Sequence, residues 1–217
     1  MFFVAARHCV IAPDGSEKGT LKILYHYGSQ DRETIFFKAL LQATFKGDDG
    51  GIEEVVVYVV GDLPPERKSL LLQRALPLQH QDDAQMLIDL HLLRNDKLRA
   101  VGFPSVSKDM DYDNNIATVI PRGFHGRLIS KTNQRETYKI EDLSWKEGGT
   151  EGFSGSPVLA LFQNLDGNII PVPIGIVVTA SVEPPTVSFL SINSATDLIA
   201  EYLNETNLKN RIQSKAD

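Results

Sequence analysis

The chain has 217 residues, 42% of them hydrophobic and 23% charged, which is typical of a soluble globular protein with a sizeable core. Its net charge is -6 and it contains no basic run, which argues against electrostatic binding to nucleic acid. No apolar stretch approaches the roughly 18 residues of a membrane span. These properties exclude a nucleic-acid-binding or membrane-embedded function as the first interpretation.

The start of the chain and its cysteine content bear on the cellular compartment. Residues 1–6 are apolar, but no basic region precedes them, so they do not form the pattern of a signal peptide. Cys9 is the only cysteine, so no disulfide can form within the chain. Both features indicate a reducing compartment, and we predict the cytoplasm.

Strand-like runs separated by turns dominate the chain. A turn at residues 13–15 is followed by alternating or β-branched segments, which are typical of strands. Strands are predicted, in chain order, at residues 21–27, 34–45, 55–60, 89–94, 116–120, 126–129, 137–140, 158–162, 174–178 and 187–192.

The remaining segments are polar, ambiguous or helical. Residues 63–78 fit either a helix that begins near Pro64 or a strand with a surface insertion. Residues 105–115 are polar and are predicted to connect two halves. Ser194 is predicted to cap an amphipathic helix that continues through Leu203. Many short strands with one terminal helix indicate an antiparallel all-β fold, either one barrel or a pair of barrels.

The segment 151–158 has the composition of a tight loop that presents a serine. Glycines at 152 and 155 flank Ser154 and tolerate backbone angles that other residues resist. Such a loop offers the N–H groups of Gly152 and Ser154 to a developing oxyanion and exposes the Ser154 hydroxyl. A nucleophile elbow would need glycine at position 156, where Ser156 stands, and a plain turn before a strand is the other alternative.

Three segments of the chain resemble the motifs of the chymotrypsin/trypsin-like serine peptidases. Residues 152–157 are similar to the family's Gly-Asp/Asn-Ser-Gly-Gly/Ser-Pro signature, and residues 3–10 to its apolar strand that runs into Thr-Ala-Ala-His-Cys. Residues 89–94 are similar to its Asp-Ile-Ala-Leu-Leu-Lys/Arg. The order His, Asp, Ser is that of chymotrypsin. Residues 101–104 resemble the segment that leaves the first barrel in disulfide-free bacterial members of the HtrA type.

This resemblance implies two antiparallel β-barrels of the trypsin-like type followed by a C-terminal helix. It places His8 and Asp89 in the first half and Ser154 in the second. The predicted boundaries are 1–112 for the first half, 113–203 for the second half with its helix, and 204–217 for a polar tail.

The resemblance also implies a serine endopeptidase. Ser154 would attack a peptide carbonyl, His8 would relay the proton and Asp89 would orient His8. The Gly152 and Ser154 amides would hold the oxyanion. Asp83 and Asp82 compete for the role of the acid, and the leucines that follow Asp89 favour Asp89. The reaction needs no metal or cofactor, and its partner is a peptide or protein substrate.

Two departures from the family pattern support a rival interpretation. Phe153 replaces the family's Asp or Asn, so activation by capture of a new N-terminus is not expected. Only seven residues precede His8, where the family has about two further strands. Either the true start lies upstream, or the barrel is open, or a partner completes it. The alternative function is a weak or inactive peptidase-like module that binds extended peptides or a partner protein.

The resemblance gives a limited prediction of specificity. It places Gly148 at the floor of the primary pocket, and neither Gly148 nor Thr150 carries a carboxylate to attract lysine or arginine. Val178, Thr179 and Ala180 would line the pocket wall. We therefore expect a small or apolar substrate side chain.

Overall fold

The computed structural model describes residues 1–18, 22–24, 32–34, 37–44, 52–73, 75–78, 81–102, 108–111, 116–119, 121–131, 137–146 and 148–213. Within these residues, the strands form a three-stranded sheet, a closed six-stranded barrel and two short hairpins. All described pairings between strands are antiparallel. The predicted antiparallel all-β architecture is therefore confirmed.

The N-terminal sheet is built around one buried strand. β5 (Ile52–Val60) carries a run of valines that pack on both faces of the sheet, as β-branched residues do well. It pairs with β1 (Phe2–Ala6) on one side and with β4 (Phe37–Thr44) on the other. Ala6 lies opposite Val55, so the end of β1 and the beginning of β5 are side by side. A separate hairpin consists of β2 (Lys22–Leu24) and β3 (Arg32–Thr34).

Helices, not strands, connect this sheet to the barrel. α2 (Pro65–Leu72) resolves the ambiguity of residues 63–78, with Pro65 in the first turn, where proline is tolerated. The strand predicted at residues 89–94 is wrong, because these residues belong to α3 (Gln81–Arg94). The buried residues of α3 recur every three or four positions, which is the spacing of one helix face. They are Ala84, Ile88 and His91.

The C-terminal half is the closed barrel, with the strand order β10-β13-β12-β11-β6-β9. Its interior is filled by apolar side chains such as Phe124, Val158 and Phe189. β6 belongs to the barrel, which therefore begins before the boundary predicted at residue 112. The strands are β6 (Lys97–Gly102), β9 (Arg122–Lys131), β10 (Thr137–Glu141), β11 (Pro157–Gln163), β12 (Ile169–Ser181) and β13 (Thr186–Ser191).

Two further segments differ from the sequence-based prediction. The polar run 105–115 contains β7 (Lys108–Asp111), which pairs with β8 (Ile116–Val119). Residues 103–107, 112–115, 25–27, 35–36 and 45, which the predictions also covered, lie outside the described residues. No helix among the described residues is both long and apolar enough to cross a membrane.

The C-terminal helix packs across the junction of the two halves. α4 (Asn193–Gln213) begins one residue before the predicted cap Ser194 and continues through ten residues of the predicted polar tail. Its residues Leu198 and Ile199 share an apolar cluster with Val57 of β5 and Ile176 of β12. This cluster joins the N-terminal sheet to the barrel. A short helix, α1 (Arg7–Val10), follows β1 directly.

Candidate active site

His8 lies at the end of β1, in the first turn of α1, and has a carboxylate partner. Its Nδ1 atom is 3.1 Å from Oε2 of Glu54, and both side chains are about half-exposed. The pairing of Ala6 with Val55 explains this contact. His8 lies two residues after Ala6 and Glu54 lies one residue before Val55, so both side chains are at the same end of the β1–β5 pair. The backbone carbonyl of His8 accepts a hydrogen bond from Lys18 Nζ at 2.5 Å. His8 is thus held through both its ring and its backbone.

Sequence reasoning missed Glu54. Glu54 immediately precedes the apolar run Val55–Val60 of β5, and sequence reasoning considered only aspartates before an apolar run. Asp89 instead lies on α3, is exposed, and accepts a hydrogen bond from Gln85 Nε2 at 2.8 Å. Asp83 is also exposed on α3, and Asp82 belongs to the same helix.

Ser154 lies in a tight turn whose glycines adopt the left-handed conformation. The φ angles are 95° at Gly152 and 83° at Gly155, values that favour glycine. The Gly155 N–H donates to the Val177 carbonyl at 2.8 Å, and the Ser156 N–H donates to the Phe153 carbonyl at 2.8 Å. These bonds tie the turn to β12.

The same turn lies against the end of β1. A Cβ atom added to Gly155 would be 3.7 Å from the backbone nitrogen of Ala6, an ordinary van der Waals contact. Ala6 is two residues from His8. The structure therefore brings the Ser154 turn and the His8 corner together, although they are separated by about 150 residues in the chain and belong to different sheets.

The two N–H groups predicted as oxyanion donors belong to the Ser154 turn. Within the described part of the chain, neither the Gly152 N–H nor the Ser154 N–H has an acceptor. The Ser154 hydroxyl donates a long hydrogen bond of 3.4 Å to the Val178 carbonyl. The roles of these two N–H groups and of the hydroxyl in acyl transfer stay predictions.

Phe153, the residue between Gly152 and Ser154, is fully buried. Its ring contacts Trp145 and Phe124 at centroid distances of 5.6 and 6.1 Å, both edge to face. Trp145 Nε1–H in turn donates to the Gly148 carbonyl at 3.0 Å. The turn is therefore anchored in the barrel core by an apolar side chain.

The predicted pocket residues fall on two segments next to Ser154. Gly148, with φ 81°, is exposed, and Thr150 is buried and accepts a bond from the Phe153 N–H at 3.3 Å. Val178, which contacts the Ser154 hydroxyl through its carbonyl, is buried, and it is followed by exposed Thr179 and Ala180. The pocket role of these residues stays a prediction.

Cys9 and His125 are among the titratable groups whose pKa values are shifted. Burial raises the pKa of the Cys9 thiol above its ordinary value, and the Lys18 ammonium partly opposes that shift. Cys9 therefore stays a protonated thiol at neutral pH and is a poor rival nucleophile to Ser154. In the barrel, burial lowers the pKa of His125, and the neighbouring Arg99 guanidinium lowers it further.

The chain is similar to a mutant of human heparin-binding protein (CAP37) of known structure. The TM-score is 0.51 at 13% sequence identity, over 94% of this chain and 82% of that chain. The fold is trypsin-like. At this identity the likeness concerns the fold alone, and it does not extend to the HtrA type that residues 101–104 suggested. Scans against known protein families and against curated proteins find no match.

Proposed function

We propose that this chain is a serine endopeptidase with a triad formed by His8, Glu54 and Ser154. One observation carries the proposal: on a trypsin-like fold, His8 is bonded to a carboxylate, and the Ser154 turn lies near Ala6, two residues before His8. The resemblance of residues 3–10 and 152–157 to the family motifs supports the same roles.

The proposed reaction is acyl transfer. Ser154 Oγ attacks the substrate carbonyl while His8 Nε2 takes its proton, and the resulting oxyanion is held by the Gly152 and Ser154 N–H groups. His8 then gives the proton to the leaving amine as the C–N bond breaks. Water, activated by His8 in the same way, releases the acyl group and restores Ser154.

Glu54 takes the role for which the sequence favoured Asp89. In the proposed tautomer, His8 Nδ1–H donates to Glu54 Oε2 at 3.1 Å, which leaves Nε2 unprotonated and able to act as the base. Asp89 is bonded to Gln85 on α3 instead.

The substrate is an extended peptide with a small or apolar side chain at the primary position. The segment 178–180 is adjacent to Ser154 and carries no charge, and neither Gly148 nor Thr150 carries one. We propose that the peptide lies along the exposed residues Thr179 and Ala180. The single cysteine supports a cytoplasmic, reducing location.

A binding module is the second candidate, and one observation favours it. The Ser154 hydroxyl donates to the Val178 carbonyl. Among the described residues, it makes no hydrogen bond to the His8 ring. Catalytic bonds are often long before substrate binds, so this geometry is compatible with both candidates. The structural neighbour is named as a heparin-binding protein, which shows that a chain of this fold can act in binding.

A fluorophosphonate probe separates the two candidates, because only an activated serine reacts with it. We expect the wild-type chain to be labelled, and peptide mapping to place the label on Ser154. Ser154→Ala should not be labelled. An unlabelled wild-type chain with an intact fold would refute the peptidase and favour the binding module.

A further inference from the structure

Three aromatic side chains form a mutually contacting group beside the Ser154 turn. We call Phe124, Trp145 and Phe153 the aromatic cluster. Their centroid distances are 5.4 Å for Phe124–Trp145, 5.6 Å for Trp145–Phe153 and 6.1 Å for Phe124–Phe153. The two contacts of Phe153 are edge to face, a preferred geometry for aromatic pairs. Phe153 and Phe124 are both fully buried.

The aromatic cluster contacts both segments of the candidate site. Phe153 lies between Gly152 and Ser154, whose N–H groups are the oxyanion donors. Trp145 packs on Phe153, and its indole N–H donates to the Gly148 carbonyl at 3.0 Å. One tryptophan therefore connects the segment predicted to form the pocket floor with the turn that carries the nucleophile.

The opposite side of the turn is also closely packed. A Cβ atom added to Gly102, at the end of β6, would lie 2.7 Å from Phe153 Cδ1 and 3.2 Å from Phe153 Cα. The backbone of β6 thus packs directly on the ring and backbone of Phe153. Because protein interiors are close-packed, a residue confined in this way has a single stable position.

The chemistry of this anchor is apolar. A phenyl ring cannot form an ion pair, so the Phe153 side chain holds its position by apolar packing. Burial of Phe153 takes place when the barrel folds, and that burial fixes the direction of the adjacent Gly152 and Ser154 N–H groups.

We propose that the aromatic cluster holds the oxyanion turn and the Gly148 segment in register, with Trp145 as a positioning residue, so that the site is assembled by folding alone. The effect of the aromatic cluster on catalysis rests on the proposed peptidase function, but its positioning of the turn and of the Gly148 segment does not. The two are therefore tested by separate measurements.

Hydrogen exchange measured by mass spectrometry tests the positioning without reference to activity. Phe153→Leu should accelerate amide exchange in residues 148–155 about 10- to 100-fold, because loosened packing permits local opening. Trp145→Phe keeps a ring but removes the N–H that donates to the Gly148 carbonyl. The loosened segment should accelerate exchange of the Phe153 amide, which donates to the Thr150 carbonyl, about 3- to 10-fold. Phe37→Leu is the matched control, since Phe37 contacts Tyr58 in the other sheet, and it should leave residues 148–155 unchanged.

Kinetics and fluorescence test the catalytic consequence. Trp145→Phe should raise KM for a peptide substrate more than it lowers kcat, because it acts on the Gly148 segment. Phe153→Leu should lower kcat by about 10- to 100-fold with KM nearly unchanged, because it misplaces donors that act in the transition state. Trp145 is the only tryptophan, so its emission should change when the probe reacts with Ser154 and should not change in Ser154→Ala.

The outcomes separate the two proposals. Unchanged exchange of residues 148–155 in both aromatic variants would overturn the positioning role, whatever the labelling shows. Faster exchange together with an unlabelled wild-type chain would refute the peptidase and leave the positioning role standing. Protein that carries an N-terminal tag should be labelled as fast as protein from which the tag has been removed. A requirement for tag removal would overturn assembly by folding alone.

Discussion

Replacing Glu54 with glutamine tests the triad most directly. The amide keeps the shape of the side chain but removes its charge, and its NH2 group can donate to His8 Nδ1, which favours the wrong imidazole tautomer. The contact is 3.1 Å long and both side chains are about half-exposed. The ion pair that forms when His8 accepts a proton is therefore partly screened by water.

The magnitude follows from that exposure. Unit charges roughly 4 Å apart attract by about 1 kcal/mol in water and about 4 kcal/mol near a protein surface. Each 1.4 kcal/mol lost from the transition state lowers the rate about tenfold. With the tautomer effect added, we expect Glu54→Gln to slow labelling about 10²- to 10³-fold, less than the roughly 10⁴-fold effect of a buried triad carboxylate.

The assay is the second-order rate of fluorophosphonate labelling at constant pH, with thermal unfolding as the measure of stability. Asp89→Asn is the matched control, because Asp89 is an exposed carboxylate bonded to Gln85, and its labelling rate should stay within about twofold of wild type. If Glu54→Gln is labelled at the wild-type rate while Asp89→Asn is slowed about 100-fold, the assignment of the acid is wrong.

Three further outcomes are expected. Ser154→Ala should abolish peptide hydrolysis. It should leave the melting temperature unchanged, since the substitution removes only a 3.4 Å hydrogen bond. Residual labelling of the variant at another serine would contradict the assignment of Ser154 as the nucleophile. Gly102→Ala should destabilise the fold by about 1–3 kcal/mol, because the added methyl group would lie 2.7 Å from Phe153 Cδ1, and an unchanged melting temperature would contradict that packing. The folded state lowers the pKa of His125, so the unfolded chain binds a proton at this residue at a higher pH than the folded chain does. Stability should therefore fall as pH drops below about 6.5. His125→Gln should flatten this pH dependence of the melting temperature.

Local patterns predicted the parts of the fold that local chemistry determines. The valine run of β5 and the alternating segments of the barrel are strands in the structure. The glycines at 152 and 155 indicated a tight turn, and both adopt positive φ angles. The antiparallel all-β fold and its similarity to the trypsin-like double barrel were therefore predictable from the sequence.

The acid partner of His8 depends on long-range pairing, which local patterns do not encode. His8 and Glu54 meet because β1 pairs with β5 in a register that sets Ala6 opposite Val55. Asp89 was favoured because the leucines after it resemble those of the family motif Asp-Ile-Ala-Leu-Leu-Lys/Arg. A short apolar run fits a strand or a helix equally well, and only the packing of Ile88 against the barrel core decided for the helix.

The distribution of the site over two sheets has a consequence for the newly made chain. His8 follows β1 of the N-terminal sheet and Glu54 lies in its strand β5, whereas Ser154 lies in the turn that precedes β11 of the barrel. The two are joined by an apolar cluster that needs β5, β12 and α4 all in place. A folding intermediate with only one half formed has either the base or the nucleophile, but not both together. If the chain is a peptidase as proposed, such an intermediate cannot cleave itself or unfolded chains nearby. Proteolytic activity then begins only when β5, β12 and α4 have packed together.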